Sequence, residues 1–233
     1  MMSTCQTNID RDIVPLQPEL SKQLHYSERL LKWNPYSKKN LALCYQFQTG
    51  RDGTPIRLIP DACIDFLFKC DRENPVAVVS GVQTAPRELV LAPDSVYFGF
   101  KPYSPKGMRP LGAAWHGLTD ETDTPDFVEL SELQLCQARG NIRMEVISDY
   151  TGYTGRYCRE KFKEAHGISI KNYSSIMRFQ NAVRMLSRQD DEASLSDIVF
   201  DNGYFDQSHL NREFRRFCGD TPLRFRREVL CRS

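Results

Sequence analysis

A chain of 233 residues with 31 Lys and Arg against 30 Asp and Glu carries a formal charge of only +1, which excludes bulk charge as a means of holding nucleic acid and leaves only a local patch. The length suits two domains of about 100 residues each, and no apolar run approaches the roughly 18 residues of a membrane span. The opening MMSTCQTNIDRD lacks the apolar core of a signal peptide, and the eight cysteines are scattered without a C-x-x-C, which points to reduced cytoplasmic thiols rather than to zinc, a redox pair or a disulfide framework.

Residues 1–40 are polar and mixed, with Pro15, Pro18 and Pro35, and a short helix is expected around Glu19 to Trp33. From Leu41 the period becomes two: Leu41, Leu43, Tyr45 and Phe47 alternate with Ala42, Cys44, Gln46 and Gln48, the pattern of a half-buried strand. TGRDGTP reads as a turn. Ala62 to Cys70 sets Ile64, Phe66, Phe68 and Cys70 on one face, and Val76–Val79, Glu88–Leu91 and Val96–Phe100 are further short strands. Strands at this spacing predict a β-sandwich or small barrel over residues 1–130, followed by a helix near Phe127 to Gln137. Asp61 and Asp65 share a strand face, but Asp61 follows Pro60 in a turn and reads as structural; Cys63 and Cys70 fall on opposite faces. The four histidines His25, His116, His166 and His209 are dispersed, so neither a metal set nor a nucleophile–base pair is assigned, and no cofactor or enzymatic activity is expected.

The C-terminal part is organised around Ser194 to Arg227. Ser194 is an N-cap with Asp197 near the positive helix end; Leu195, Ile198 and Val199 form one apolar face, and Gly203 sits where a helix needs positive φ to end. Asp206 caps a second helix whose buried stripe is Leu210, Phe214 and Phe217 and whose outer face carries Gln207, Ser208, His209, Asn211, Arg212, Arg215 and Arg216. Gly219 ends it and Thr221-Pro222 opens a third helix. A short helix, a Gly-containing turn and a helix with a basic outer face is the helix-turn-helix pattern, although an ordinary hairpin with a solvated face shares it.

A shift of 52 residues lays Gly140–Tyr173 on the same pattern. Cys158, Phe162 and Ala165 fall on Leu210, Phe214 and Phe217; Gly167 falls on Gly219, Ser169 on Thr221, and Tyr173 on Phe225. Gly152 is displaced by one, so the second turn is predicted to be longer. A repeat that preserves both stripe and caps weighs against the plain hairpin. Between the copies Ile176, Phe179, Val183 and Leu186 mark an amphipathic helix from about Tyr173 to Arg188, roughly 24 Å long. Two such units on one connector suit two successive major grooves about 34 Å apart. Residues 141–233 hold 16 Lys and Arg against 13 Asp and Glu, a net of +3, while residues 1–140 hold 15 against 17, a net of −2.

Over about Gly140 to Glu228 the chain resembles AraC-type (AraC/XylS family) transcriptional regulators, most closely in NGYFDQSHLNREFRRFCGDTPLRFRR; RFQNAVRML resembles the family's connector helix. Residues from about Leu41 to Asp120, with LIPDACIDFLF and YFGFKPYSP, are similar to an uncharacterised sensor-type domain often fused to that module, in which family such domains are commonly cupin-like barrels that bind effectors or dimerise. The resemblance implies an α+β chain: a β-domain over 1–130 for effector binding or dimerisation, and a double helix-turn-helix DNA-binding domain over 140–233. It implies a cytoplasmic regulator that binds double-stranded DNA, with a small-molecule effector or a homodimer as further partners and no membrane. By position it points to base contacts from Gln207, Ser208, His209 and Arg212 in the second unit and from Gly155, Arg156 and Arg159 in the first, with Arg216 at phosphate. Gln suits adenine and Arg suits guanine. Glu160 stands where the family has a polar or basic reader and is placed to pair with Arg156, Cys158 replaces a larger core residue, and Ile170 stands where Pro is expected. Two other classes fit less well: an Ada-type DNA-repair methyltransferase, which needs a zinc-bound cysteine cluster, and a β-domain enzyme or adaptor whose helices serve protein contacts.

Overall fold

The structure, a computed structural model, describes residues 15–32, 41–53, 55–102, 127–187 and 194–231. Seven strands are present among them: β1 (Leu24–Lys32), β2 (Leu41–Gln48), β3 (Ile56–Leu58), β4 (Asp65–Lys69), β5 (Val76–Ser80), β6 (Arg87–Leu89) and β7 (Val96–Pro102). Five form an antiparallel sheet in the order β1-β2-β7-β4-β5, and β3 pairs with β6 in a second sheet. Leu43, Tyr45, Phe47, Leu67 and Tyr97 on the large sheet meet Ile56 and Leu58 of the small one in a single core, so the two sheets pack as layers. Period-two alternation in β2 arises because one face is in that core. The stretch read as a helix near residues 19–33 instead turns through residues 18–22 and enters β1, where Ser27, Arg29 and Leu31 register with Gln46, Cys44 and Ala42. A ladder along β2 outweighs the weak helical spacing of Leu20 and Leu24. His116 lies outside the described residues.

Seven helices follow among the described residues: α1 (Phe127–Gln137), α2 (Met144–Thr151), α3 (Gly155–His166), α4 (Ile170–Leu186), α5 (Leu195–Asp201), α6 (Gln207–Cys218) and α7 (Pro222–Cys231). None is long and apolar enough to cross a membrane. The 17-residue α4 is the spine, roughly 25 Å long. Its first turns give Ile170 and Tyr173 to a core with Phe127 and Leu135 of α1, Ile147 of α2, and Cys158 and Phe162 of α3. The rest gives Ile176, Phe179, Val183 and Leu186 to a second core with Ile198, Leu210, Phe214, Phe217 and Phe225. One helix thus holds both repeats. By packing, α1 belongs with the first of them.

The β-layers and the helices share buried contacts. Ile59, just after β3, is a member of the second helical core. The Gln180 side chain on α4 accepts from the Leu16 N–H at 2.8 Å and donates to the Pro60 carbonyl at 2.7 Å. Gln17 is tied in turn to the Ile59 backbone at both its amide atoms, 2.7 and 3.0 Å. Arg57 of β3 reaches Glu19 and Glu228 at 3.0 Å each and donates to the Cys218 carbonyl at the end of α6, 3.2 Å away. That carbonyl is one of the groups a helix C-terminus leaves open.

Candidate nucleic-acid interface

The two units are built alike from their caps inward. Thr154 accepts from the Tyr157 N–H at 3.3 Å to start α3, and Asp206 accepts from the His209 N–H at 2.6 Å to start α6. Each helix has 12 residues and ends on a left-handed glycine, Gly167 (φ 73°) or Gly219 (φ 80°). Cys158 and Phe162 occupy the buried positions of Leu210 and Phe214. Ser169 caps α4 through the Asn172 N–H at 3.2 Å, and Thr221 meets the Arg224 N–H at 3.4 Å in α7, so Ile170 and Pro222 are equivalent first residues. Ser194 and Asp197 form a reciprocal capping box on α5. The hydroxyl and backbone N–H of Ser194 hold the Asp197 carboxyl below the usual carboxylate range. The second turn is the longer, residues 202–206 against 152–154.

The residues singled out by sequence fall on two helices. Arg156 and Arg159 are exposed on α3, and Gly155 starts that helix against Met144 and Ser148 of α2, where a Cβ would sit 3.4 Å from each side chain. Gln207, Ser208, Arg212 and Arg216 are exposed on α6. Gln207 also reaches Ser196 of α5 at 3.4 Å. Arg216 donates to Asn172 at 3.1 Å and lies over the Phe217 ring at 4.8 Å. His209 is half-buried: its Nδ1 accepts from the Phe205 N–H at 3.3 Å, its Nε2 lies 3.8 Å from Glu213, and its ring meets Tyr204 edge-on. Arg156 and Glu160 are both exposed, and no ion pair joins them among the described residues; Lys161 and Glu164 pair instead at 2.7 Å.

Beneath this face lies a support that sequence reading missed. Glu213 faces inward from α6 and binds Arg178 of α4 at 3.1 Å, and the Arg178 guanidinium lies 5.7 Å from the Tyr204 ring centre. Burial, and then the Glu213 charge, push the Tyr204 hydroxyl well above the usual tyrosine range. Asn202, fully buried in the turn, donates to the Ile198 carbonyl at 2.8 Å and accepts from Asn181. An Asn beside Gly203 is itself a helix-end signal, whereas nothing local announces Arg178 and Glu213, 35 residues apart. In the first unit His166 lies 2.9 Å from Glu132 of α1.

Known proteins resemble this chain over part of its length. Residues 147–228 match the family described as a helix-turn-helix domain. A probable transcription factor, PqrA of Proteus vulgaris, is 28% identical over 101 residues, which cover 43% of this chain and 80% of that protein. An HTH-type transcriptional regulator of Staphylococcus aureus is 24% identical over 101 residues; the stretch matched is 43% of this chain and only 12% of the staphylococcal protein. Among solved structures, ToxT from Vibrio cholerae is similar with a TM-score of 0.42 and 10% identity, over 88% of this chain and 98% of that one. By that family match residues 147–228 make up a helix-turn-helix domain, within the stretch whose sequence resembles AraC-type regulators.

Proposed function

We propose that this chain is a sequence-specific, DNA-binding transcription regulator whose helical part, residues 127–231, carries the DNA contacts and whose β-layers carry regulation. The observation that supports it best is the pair of 12-residue helices, alike in caps and stripes, that each expose basic and amide side chains from one rigid spine. Each suits a major groove. Direct base contacts fall to Gln207, Ser208 and Arg212 on α6, and to Arg156 and Arg159 beside Gly155 on α3. His209, whose Nδ1 is taken by the Phe205 N–H, shapes the start of α6 and offers bases only its open edge. Arg216 meets phosphate.

Regulation follows from the shared contacts. Leu16, Pro60 and Ile59 are bonded to or packed on the spine, and Arg57 holds the end of α6. A small molecule or a second copy that binds the β-layers differently in two arrangements would therefore shift the helices; equal affinity for both would shift nothing. The test is selection of duplexes from a random pool by the full chain. A defined motif should emerge, and its affinity should fall steeply with salt as phosphate contacts release counterions. Retention of no duplex at low salt would refute the reading.

A further inference from the structure

Large aromatic side chains on the second unit are buried with two exceptions. Phe179, Phe214 and Phe217 are fully buried, yet Phe205 is 92% exposed and Phe200 is 86% exposed. Phe205 sits directly before Asp206, the cap of α6, and its N–H is held by His209 Nδ1. The backbone there is therefore fixed, and the ring stands at the leading end of a helix whose next residues, Gln207 and Ser208, are exposed. The repeat supplies an internal comparison. The equivalent of Phe205 is Tyr153, directly before the Thr154 cap. Tyr153 stacks on Tyr157 at 4.8 Å and meets Phe127 of α1 edge-on at 5.6 Å. In the second unit His209 replaces Tyr157, and among the described residues no helix stands where α1 stands and Phe205 has no ring partner.

Resting on the DNA-binding reading above, we propose that Phe205 is a specificity-determining residue that packs on the C5-methyl group of a thymine at the edge of the site read by α6. The apolar ring sits where the N-terminal residues of a recognition helix reach base edges, and the thymine methyl is the one apolar feature of the major-groove code. Phe200 lies on α5, the helix that crosses the backbone rather than entering the groove in this arrangement, and takes no part.

The experiment uses the full chain and an operator taken from selection. Each thymine is replaced in turn by deoxyuridine, which removes the methyl group alone. Wild type should lose about fourfold in affinity at one position, the effect of one buried methyl-sized group. Phe205→Ala should bind the thymine operator about fourfold more weakly and no longer distinguish thymine from uracil there; Phe200→Ala should behave as wild type. Thermal midpoints confirm that the variants fold. The proposal is overturned if no thymine methyl matters to wild type, or if Phe205→Ala still responds to its loss, and either result leaves DNA binding itself intact. Unchanged operator affinity with reduced transcription in Phe205→Ala also overturns it and assigns the ring to a protein partner. If no operator can be selected at all, the DNA-binding reading fails and this proposal with it.

Discussion

Arg212 and Arg216 lie one turn apart on α6, and their neighbours differ. Arg216 is drawn sideways, donating to Asn172 at 3.1 Å and lying on Phe217, which sets its charge beside the spine rather than at the leading end of the helix. Arg212 is exposed one turn nearer the start of α6. Arg212→Ala should cost about 1–3 kcal/mol of binding and relax preference at one base pair, as loss of a bidentate base contact does. Arg216→Ala should weaken all sequences alike and reduce the salt slope by about one. Parallel selections with the two variants check this, and identical sequence preferences would show the faces to be misassigned. Gly140 illustrates what residue-level reading does not reach. Its place between α1 and α2 is plain from sequence, yet its φ of 77° and the position of its missing Cβ, 2.2 Å from the Ser174 carbonyl, depend on α4 lying against it. Gly140→Ala should therefore destabilise by more than the roughly 1–2 kcal/mol of left-handed strain alone, read as a lowered urea midpoint.

At the scale of elements, legibility followed burial on one face. β2 and the stripe of α6 were readable because each element has a single buried side with its own period, and cap residues mark α4 to α7 directly. In β4 the alternation was visible but its sense was not: Leu67 faces the core while Phe66 and Phe68 pair outward with Phe100 and Phe98. Period two separates faces without saying which is inward. The polar centre of the sheet was hidden for a related reason, since Lys101 on β7 gains its partners from 40 and 36 residues away. It is almost wholly buried, bonded to Asp61 and 3.6 Å from Asp65, and the Tyr45 hydroxyl donates to Asp65 at 2.8 Å. The Tyr45 ring in turn fills the space over Gly99, where a Cβ would lie 1.9 Å from it. Burial favours a neutral Lys101, but the Asp61 and Asp65 charges outweigh it and hold the ammonium above the usual lysine range. A raised value means that this contribution to stability is complete below the ordinary lysine pKa and is lost only as pH rises through the folded one. Burial raises Asp65 above the usual carboxylate range even with Lys101 opposing. Lys101→Met leaves both carboxylates without their cation and should cost about 3–5 kcal/mol near neutrality. Without the cation the folded pKa of Asp65 rises further above the usual carboxylate range, so the deficit should shrink as pH falls and protonation removes the charge. Urea unfolding of both proteins at pH 5 and pH 8 measures the gap; a gap independent of pH would mean that packing, not charge, is what Lys101 supplies.

For the whole molecule, the sequence separates two halves and the structure joins them. Composition changes from period two to helical stripes near residue 127, which made the division readable. The joining contacts were not, because Leu16, Pro60 and Gln180, or Arg57 and Glu228, are 120 to 171 residues apart in their pairs. The contacts are of two kinds. Gln180 is buried and satisfied by backbone groups of Leu16 and Pro60, so losing it strands polar atoms at a cost of about 1–3 kcal/mol. Arg57 is a quarter exposed, so its ion pairs add less, about 1 kcal/mol after screening. Interfaces between domains of one chain default to relative motion unless they are large or well bonded. With Ile59 inserted in the second helical core, these bonds should make the β-layers and helices unfold as one cooperative unit in the wild type. Gln180→Ala combined with Arg57→Ala should remove about 2–4 kcal/mol of this coupling and resolve two transitions, one followed by near-ultraviolet signals of the Tyr26–Tyr45–Phe47–Tyr97 row on the sheet and one by far-ultraviolet helix signal. Coincident transitions in the double variant would show that the coupling rests elsewhere, and two transitions already in the wild type would show that it is absent. The same measurement bears on regulation, since free energy from an event on the β-layers can reach α6 only to the extent that the halves respond together.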